Sequence, residues 1–213
     1  MKESASNQYK RLQAVLGTAI DGIPGPKDEA AYKELRRRVQ EERAKLAIPA
    51  PSSSIGASVA RVAREEVGVT EVTKNQAPEI AKYWDATDYS TGMQNREPWC
   101  AAFVCWCVRQ GIKEFGANPT WPLPRTARAF GFDEEWAVRN ALRITKTPSA
   151  SVLKPGDIVV FKFSHVGIYV GPVNSTSILT VEGNTNGEGS REGDGVYQKV
   201  RPVALVRSAI HLA

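Results

Sequence analysis

A chain of 213 residues with 42% hydrophobic and 24% charged content has room for one full domain plus a small module, in the proportions of a globular protein. Its 28 basic and 23 acidic residues leave a net charge of +5, too mild and diffuse an excess to argue for nucleic acid, though it suits an anionic surface. No apolar run approaches the roughly 18 residues that cross a bilayer, and three cysteines crowded between Cys100 and Cys107 exclude a disulfide framework.

The N-terminus, Met1-Lys-Glu-Ser-Ala-Ser-Asn-Gln8, has no hydrophobic core of a signal peptide, so synthesis in the cytoplasm is expected. Residues 1–47 read as a small helical unit. Tyr9, Leu12, Val15 and Leu16 form one amphipathic stripe that Gly17 ends, and Asp21-Gly-Ile-Pro-Gly-Pro26 is a turn. Pro26 opens a second helix with Asp28 and Glu29 in its first turn, and Tyr32, Leu35, Val39 and Leu46 on its buried face. The residues Leu12-Gln13, Leu16, Ile20-Asp-Gly22, Gly25-Pro-Lys27 and Ala30-Ala31 resemble one half of a peptidoglycan-binding domain. A helical hairpin that packs on its neighbours is the plainer alternative.

Residues 48–56, with Ile48-Pro-Ala-Pro-Ser-Ser-Ser54, have the proline and serine chemistry of a linker and set a boundary before a main domain, 57–213. Val59, Val62, Ala63 and Val67 give one helix face ending at Gly68, and Ala77–Trp84 a second short helix. A polar loop, 85–95, follows. Asp85, Asp88 and Tyr89 lack the alternating carboxylates of a calcium loop, so no metal is expected.

Glu97-Pro-Trp-Cys100-Ala-Ala-Phe-Val-Cys-Trp-Cys107 reads as a turn running into a buried helix, with Gly111 as its stop. A cysteine in the first turn feels the positive end of the helix dipole, which favours thiolate. Cys105 and Cys107, inside the helix, read as packing residues. The segment 115–137, with Trp121, Pro122, Pro124, Phe130, Phe132 and Trp136, is a groove wall or a satellite core.

From Leu142 the period becomes alternating. Ile158–Phe161, Ser164–Gly171, Ser177–Asn184, Gly195–Val200 and Ala204–His211 read as five strands, hence an α+β fold with an antiparallel sheet. Alternation places His165, Gly167 and Tyr169 on one face and puts Glu182 and Asn184 together on a neighbouring strand. Nucleophile, base and orienting group then follow in the order Cys100, His165, and Glu182 or Asn184. The backbone N–H of Cys100 would face a developing oxyanion.

The motifs Pro98-Trp-Cys-Ala-Ala-Phe-Val, Lys154-Pro-Gly-Asp-Ile-Val-Val-Phe161, His165-Val-Gly-Ile-Tyr-Val-Gly171 and Val181-Glu-Gly-Asn184, in that order, resemble the CHAP family of cysteine- and histidine-dependent amidohydrolases and peptidases. The likeness begins near Val59 and includes Glu65-x-x-Gly68-x-x-Glu71. It implies a papain-like domain, with helices packed on a five- or six-stranded antiparallel sheet. It also implies Cys100 as nucleophile, His165 as base, Glu182 and Asn184 as the further polar residues, and no cofactor. The expected partner is bacterial peptidoglycan, cut at the muramoyl–L-alanine amide or within the stem or cross-bridge. A monomeric phage endolysin without membrane insertion, acting on the wall after release, fits these features. An interbacterial amidase toxin or a cytoplasmic small-molecule amidase would share the chemistry, and a non-catalytic wall-binding protein would share only the fold.

Overall fold

The structure, a computed structural model, describes residues 53–212 and, upstream, residues 10, 13, 14, 17, 20, 23, 25, 27, 28 and 30–35. The chain divides into two compact units, Met1–Pro51 and Ser52–Ala213. In the first, residues 10, 13 and 14 and residues 27, 28 and 30–35 are helical. Asp28 clamps the turn between them: its Oδ2 accepts the Gly25 N–H and the Gln13 side-chain amide, each at 3.0 Å. Leu35, expected on the buried face, is exposed. The stripe Tyr9, Leu12, Val15 and Leu16, the expected face at Val39 and Leu46, and linker residues 48–52 lie outside the described residues.

The second unit opens with helix α1, Ile55–Glu65, so Ile55 and Gly56 belong to it rather than to a linker. The Ser54 side chain caps it by accepting the Ala57 N–H at 3.1 Å. Pro78 begins α2, Pro78–Trp84, at a position where a missing N–H is harmless. The long helix α3 spans Cys100–Phe115 and ends at Gly116, whose φ of 72° is the left-handed C-terminal turn glycine adopts freely. Gly111 is therefore not the stop that its residue type predicts. It lies inside the helix because α1 crosses there: a β-carbon at Gly111 would sit 2.7 Å from the Val59 backbone.

Six strands follow: β1 Ile144–Lys146, β2 Ile158–Phe161, β3 His165–Pro172, β4 Ser177–Thr185, β5 Gly195–Pro202 and β6 Val206–Ile210. They form one antiparallel sheet in the order β1-β6-β2-β3-β4-β5. Alternation divides their side chains. Ile158, Val160, Val166, Ile168 and Val181 join Val59, Phe103 and Val104 of the helices in the main core. Val159, Phe161, Tyr169, Ile178 and Val206 build a smaller cluster on the other face. The architecture is α+β, as the period change at Leu142 predicts, with the short β1 as the strand the pattern did not delimit.

Candidate active site

Cys100 is the first residue of α3, 6% exposed, behind Trp99 as the capping residue. The first intrahelical bond runs from Phe103 N–H to Trp99 O, so the N–H groups of Cys100, Ala101 and Ala102 have no acceptor within the helix. The turn carrying Cys100 is held from the sheet and from the α1–α2 connection. The Asn184 side-chain oxygen accepts the Trp99 backbone N–H at 3.3 Å. The Trp99 indole donates to Glu71 Oε1 at 2.8 Å, and Glu71 Oε2 accepts the Asn75 N–H at 2.7 Å. Asn75 donates in turn to Arg96 O at 2.7 Å and accepts from Asn184 Nδ2 at 2.9 Å. Asn75, Arg96 and Asn184 all have left-handed backbones, φ 55–57°, a strain that closely linked neighbours can sustain. Asn75 escaped the sequence reading because an asparagine just before a helix looks like an ordinary cap.

His165 begins β3 after the three-residue loop Lys162-Phe163-Ser164, whose last residue has φ 57°, the left-handed closure of a tight hairpin. The ring is fully buried, with the Phe161 ring centroid 6.0 Å and the Phe163 ring centroid 5.9 Å away, each nearly parallel to it. Its Nε2 lies 3.0 Å from Glu182 Oε2. Neither nitrogen makes an in-line hydrogen bond, so the Glu182 contact is a close ion-pair approach. Burial works against a charged ring, but interaction with Cys100, and then with Glu182, outweighs it and raises the His165 pKa to about 9. Gly167 keeps this face open, since a β-carbon there would sit 2.7 Å from Glu182 Cγ.

Glu182 is itself fully buried. Burial raises its pKa, yet the hydrogen bonds from Arg201 and the contact with His165 more than reverse this and hold it at about 2. The expectation that Asn184 shares its face is corrected by a β-bulge. Glu182 pairs with Tyr197 and Thr185 with Gly195, so β4 carries one extra residue here and alternation breaks. Glu182 consequently faces His165, while Asn184 turns toward Trp99, Glu71 and Asn75. Between them, Gly183 lets α3 approach: a β-carbon there would be 2.7 Å from both Phe103 and Trp99.

The remaining candidates separate from the site. Cys105 and Cys107 are fully buried, and burial pushes both thiols up. Asp88 pairs with Arg125. A cavity of about 440 Å³ lies between Tyr89 of the polar loop and Leu123, Arg125 and Trp136 of the aromatic segment, while Phe132 packs in the core. The segment is thus part wall and part core. Among the described residues, no three His, Cys, Asp or Glu side chains group as a metal site, and no helix is long and apolar enough to cross a membrane.

Residues 88–184 match the family model of the CHAP domain. The matched segment, somewhat under half of the chain, contains Cys100, His165, Glu182 and Asn184. No curated protein and no solved structure matches the chain. A CHAP domain implies, in general, a hydrolase of the peptidoglycan amidase and peptidase type.

Proposed function

We propose that this protein is a peptidoglycan hydrolase that cuts an amide bond through a cysteine thiolate. The observation that carries the reading is the buried imidazole of His165 held 3.0 Å from Glu182 Oε2 of β4, with Cys100 at the first turn of α3 in the same matched segment. In this reading the Cys100 thiolate attacks the amide carbonyl carbon and the oxyanion forms near the helix N-terminus, where the Cys100 N–H stabilises it. The His165 imidazolium gives its proton to the departing amine nitrogen as the C–N bond breaks. The neutral ring then takes a proton from water, whose oxygen attacks the thioester. Collapse of that second intermediate expels the thiolate and releases the acid. Glu182 keeps the ring oriented and supports its charge, and Asn184 holds the turn that presents the sulfur.

The finer reading is a phage endolysin. Residues 1–47 supply wall affinity, an assignment supported by their resemblance to half of a peptidoglycan-binding domain. The bond is the muramoyl–L-alanine amide or one in the stem or cross-bridge. Purified sacculi digested by the full chain test this directly, because mass spectrometry of the new amino groups identifies the bond. Cys100→Ala and His165→Ala variants should stay folded, still sediment with sacculi and release nothing. A lytic Cys100→Ala variant ends the proposal.

A further inference from the structure

A carboxylate beside a Cys–His pair creates a charge problem. With a neutral amide as orienting group, thiolate and imidazolium balance each other. With Glu182 in that place, the active set of Cys100, His165 and Glu182 carries one negative charge too many, in a region where His165 and Glu182 are fully buried. An unbalanced buried charge is strongly disfavoured, and the easiest relief is to protonate the thiolate.

A second cation stands on the neighbouring strand. Arg201 of β5 is buried, 8% exposed, and grips both oxygens of Glu182. Its Nε donates to Oε1 at 2.9 Å and its Nη2 to Oε2 at 2.6 Å, the latter being the oxygen 3.0 Å from His165. The Thr180 hydroxyl donates to Oε1 at 2.6 Å. The third arm of the guanidinium, Nη1, donates to Gly189 O at 2.9 Å and so ties the grip to the β4–β5 loop. The guanidinium also lies over the rings of Phe161 and Phe163, at 5.6 and 5.4 Å, the same two rings that stack on His165. The other cation nearby on β5, Lys199, donates instead to the carbonyls of Asn186 and Gly187.

We propose that Arg201 is a positioning residue of the site, whose guanidinium fork aims Glu182 at His165 and supplies the positive charge that allows thiolate, imidazolium and carboxylate to coexist. This rests on the hydrolase reading. A lysine would keep the charge but lose the planar two-point grip and the stacking on the two rings.

The test uses the full chain and four variants: Arg201→Gln, Arg201→Lys, Glu182→Gln and the Glu182→Gln/Arg201→Gln pair. Two profiles against pH are read for each: Cys100 alkylation by iodoacetamide, followed by intact mass, and kcat/KM on dyed sacculi. Arg201→Gln should move both profiles to higher pH by about one unit, the size of one lost nearby charge, with at least a tenfold loss at neutral pH. Glu182→Gln should move them the other way. The double variant should return to the wild-type position and exceed Arg201→Gln in rate, while Arg201→Lys keeps the position at reduced height. An Arg201→Gln profile that is lower but unmoved assigns Arg201 to structure alone and overturns the inference. If Arg201→Gln fails to fold, an unmoved alkylation profile in Glu182→Gln overturns it instead. Because alkylation needs no substrate, wild-type protein inert on sacculi sinks the hydrolase reading while the profiles still judge Arg201.

Discussion

Gly183→Ala is the sharpest perturbation of the site available without touching a polar atom. The added carbon would sit 2.7 Å from Cβ of Phe103, 2.7 Å from the Trp99 indole and 2.8 Å from Cγ of Phe103. Carbon atoms rest about 3.5–4.0 Å apart, so α3 and β4 must separate by about 1 Å. The atoms in the way are the first turn of α3 itself, and the Phe103 Cβ has little rotamer freedom to retreat. Overpacking of this kind costs about 1–3 kcal/mol, or roughly 2–4 °C of melting temperature per kcal/mol in a domain of this size. The effect on rate should be larger than the effect on stability. The first turn of α3 carries Cys100, and β4 carries Glu182 on the strand beside His165. A displacement of about 1 Å between reacting groups is worth about a hundredfold in rate. The assay is thermal unfolding together with kcat on dyed sacculi, at a temperature where both proteins are fully folded. Gly187→Ala, where an added carbon meets nothing within 4 Å, is the matched control and should change neither. A folded Gly183→Ala variant with wild-type kcat would refute the claim that helix–strand spacing sets the sulfur-to-imidazole geometry.

Four further outcomes follow from contacts elsewhere in the domain. The His165 pKa is raised from 6.5 to about 9, so its stabilisation is complete below about pH 6.5 and disappears as pH rises through 9; chemical denaturation across that window should show a falling unfolding free energy of up to about 3 kcal/mol, flattened in His165→Gln. The Glu182 pKa is lowered from 4.5 to about 2, so its share is present above pH 4.5 and is lost as pH falls toward 2, and Glu182→Gln should weaken that acid slope. Asn184→Gly should destabilise by about 1–3 kcal/mol through the unpaired Trp99 N–H, and Asn184→Ala by about 1–2 kcal/mol more, because alanine must hold a φ of 55°; equal urea midpoints for the two would contradict this. Gly111→Ala should lower the melting temperature by forcing the Val59 backbone away, without moving the pH optimum, since the contact is three helical turns from Cys100.

How far the sequence reaches is clearest where it divides Glu182 from Asn184. Periodicity was sufficient for the α+β architecture, because the shift from helical to alternating spacing near Leu142 sends side chains to the two faces of a sheet, Val166, Ile168 and Val170 to the main core and Tyr169 to the smaller cluster. It was sufficient for Cys100 too, since Pro98 and the apolar run after it leave little choice about where α3 begins. Alternation failed between residues 182 and 184 for a local reason: a bulged residue flips the side chains that follow it, and a glycine next to an asparagine is the composition that permits one. The sequence therefore offered two candidates for one task, whereas the fold gives each its own. Glu182 attends the imidazole and Asn184 the turn bearing the sulfur. The tasks of Glu71 and Arg201 were not legible: Glu71 stands out only as part of a motif and its bond to Asn184 spans 113 residues, while Arg201 reaches Glu182 diagonally across the sheet, away from its own register partner Ile178. The same bulge thus lets one short strand segment, Glu182-Gly183-Asn184, govern both halves of the site: its first residue charges the ring, its second admits the helix, and its third anchors the cysteine. Without the bulge, alternation would return Asn184 to the face of Glu182, and the Trp99 N–H would lose its acceptor.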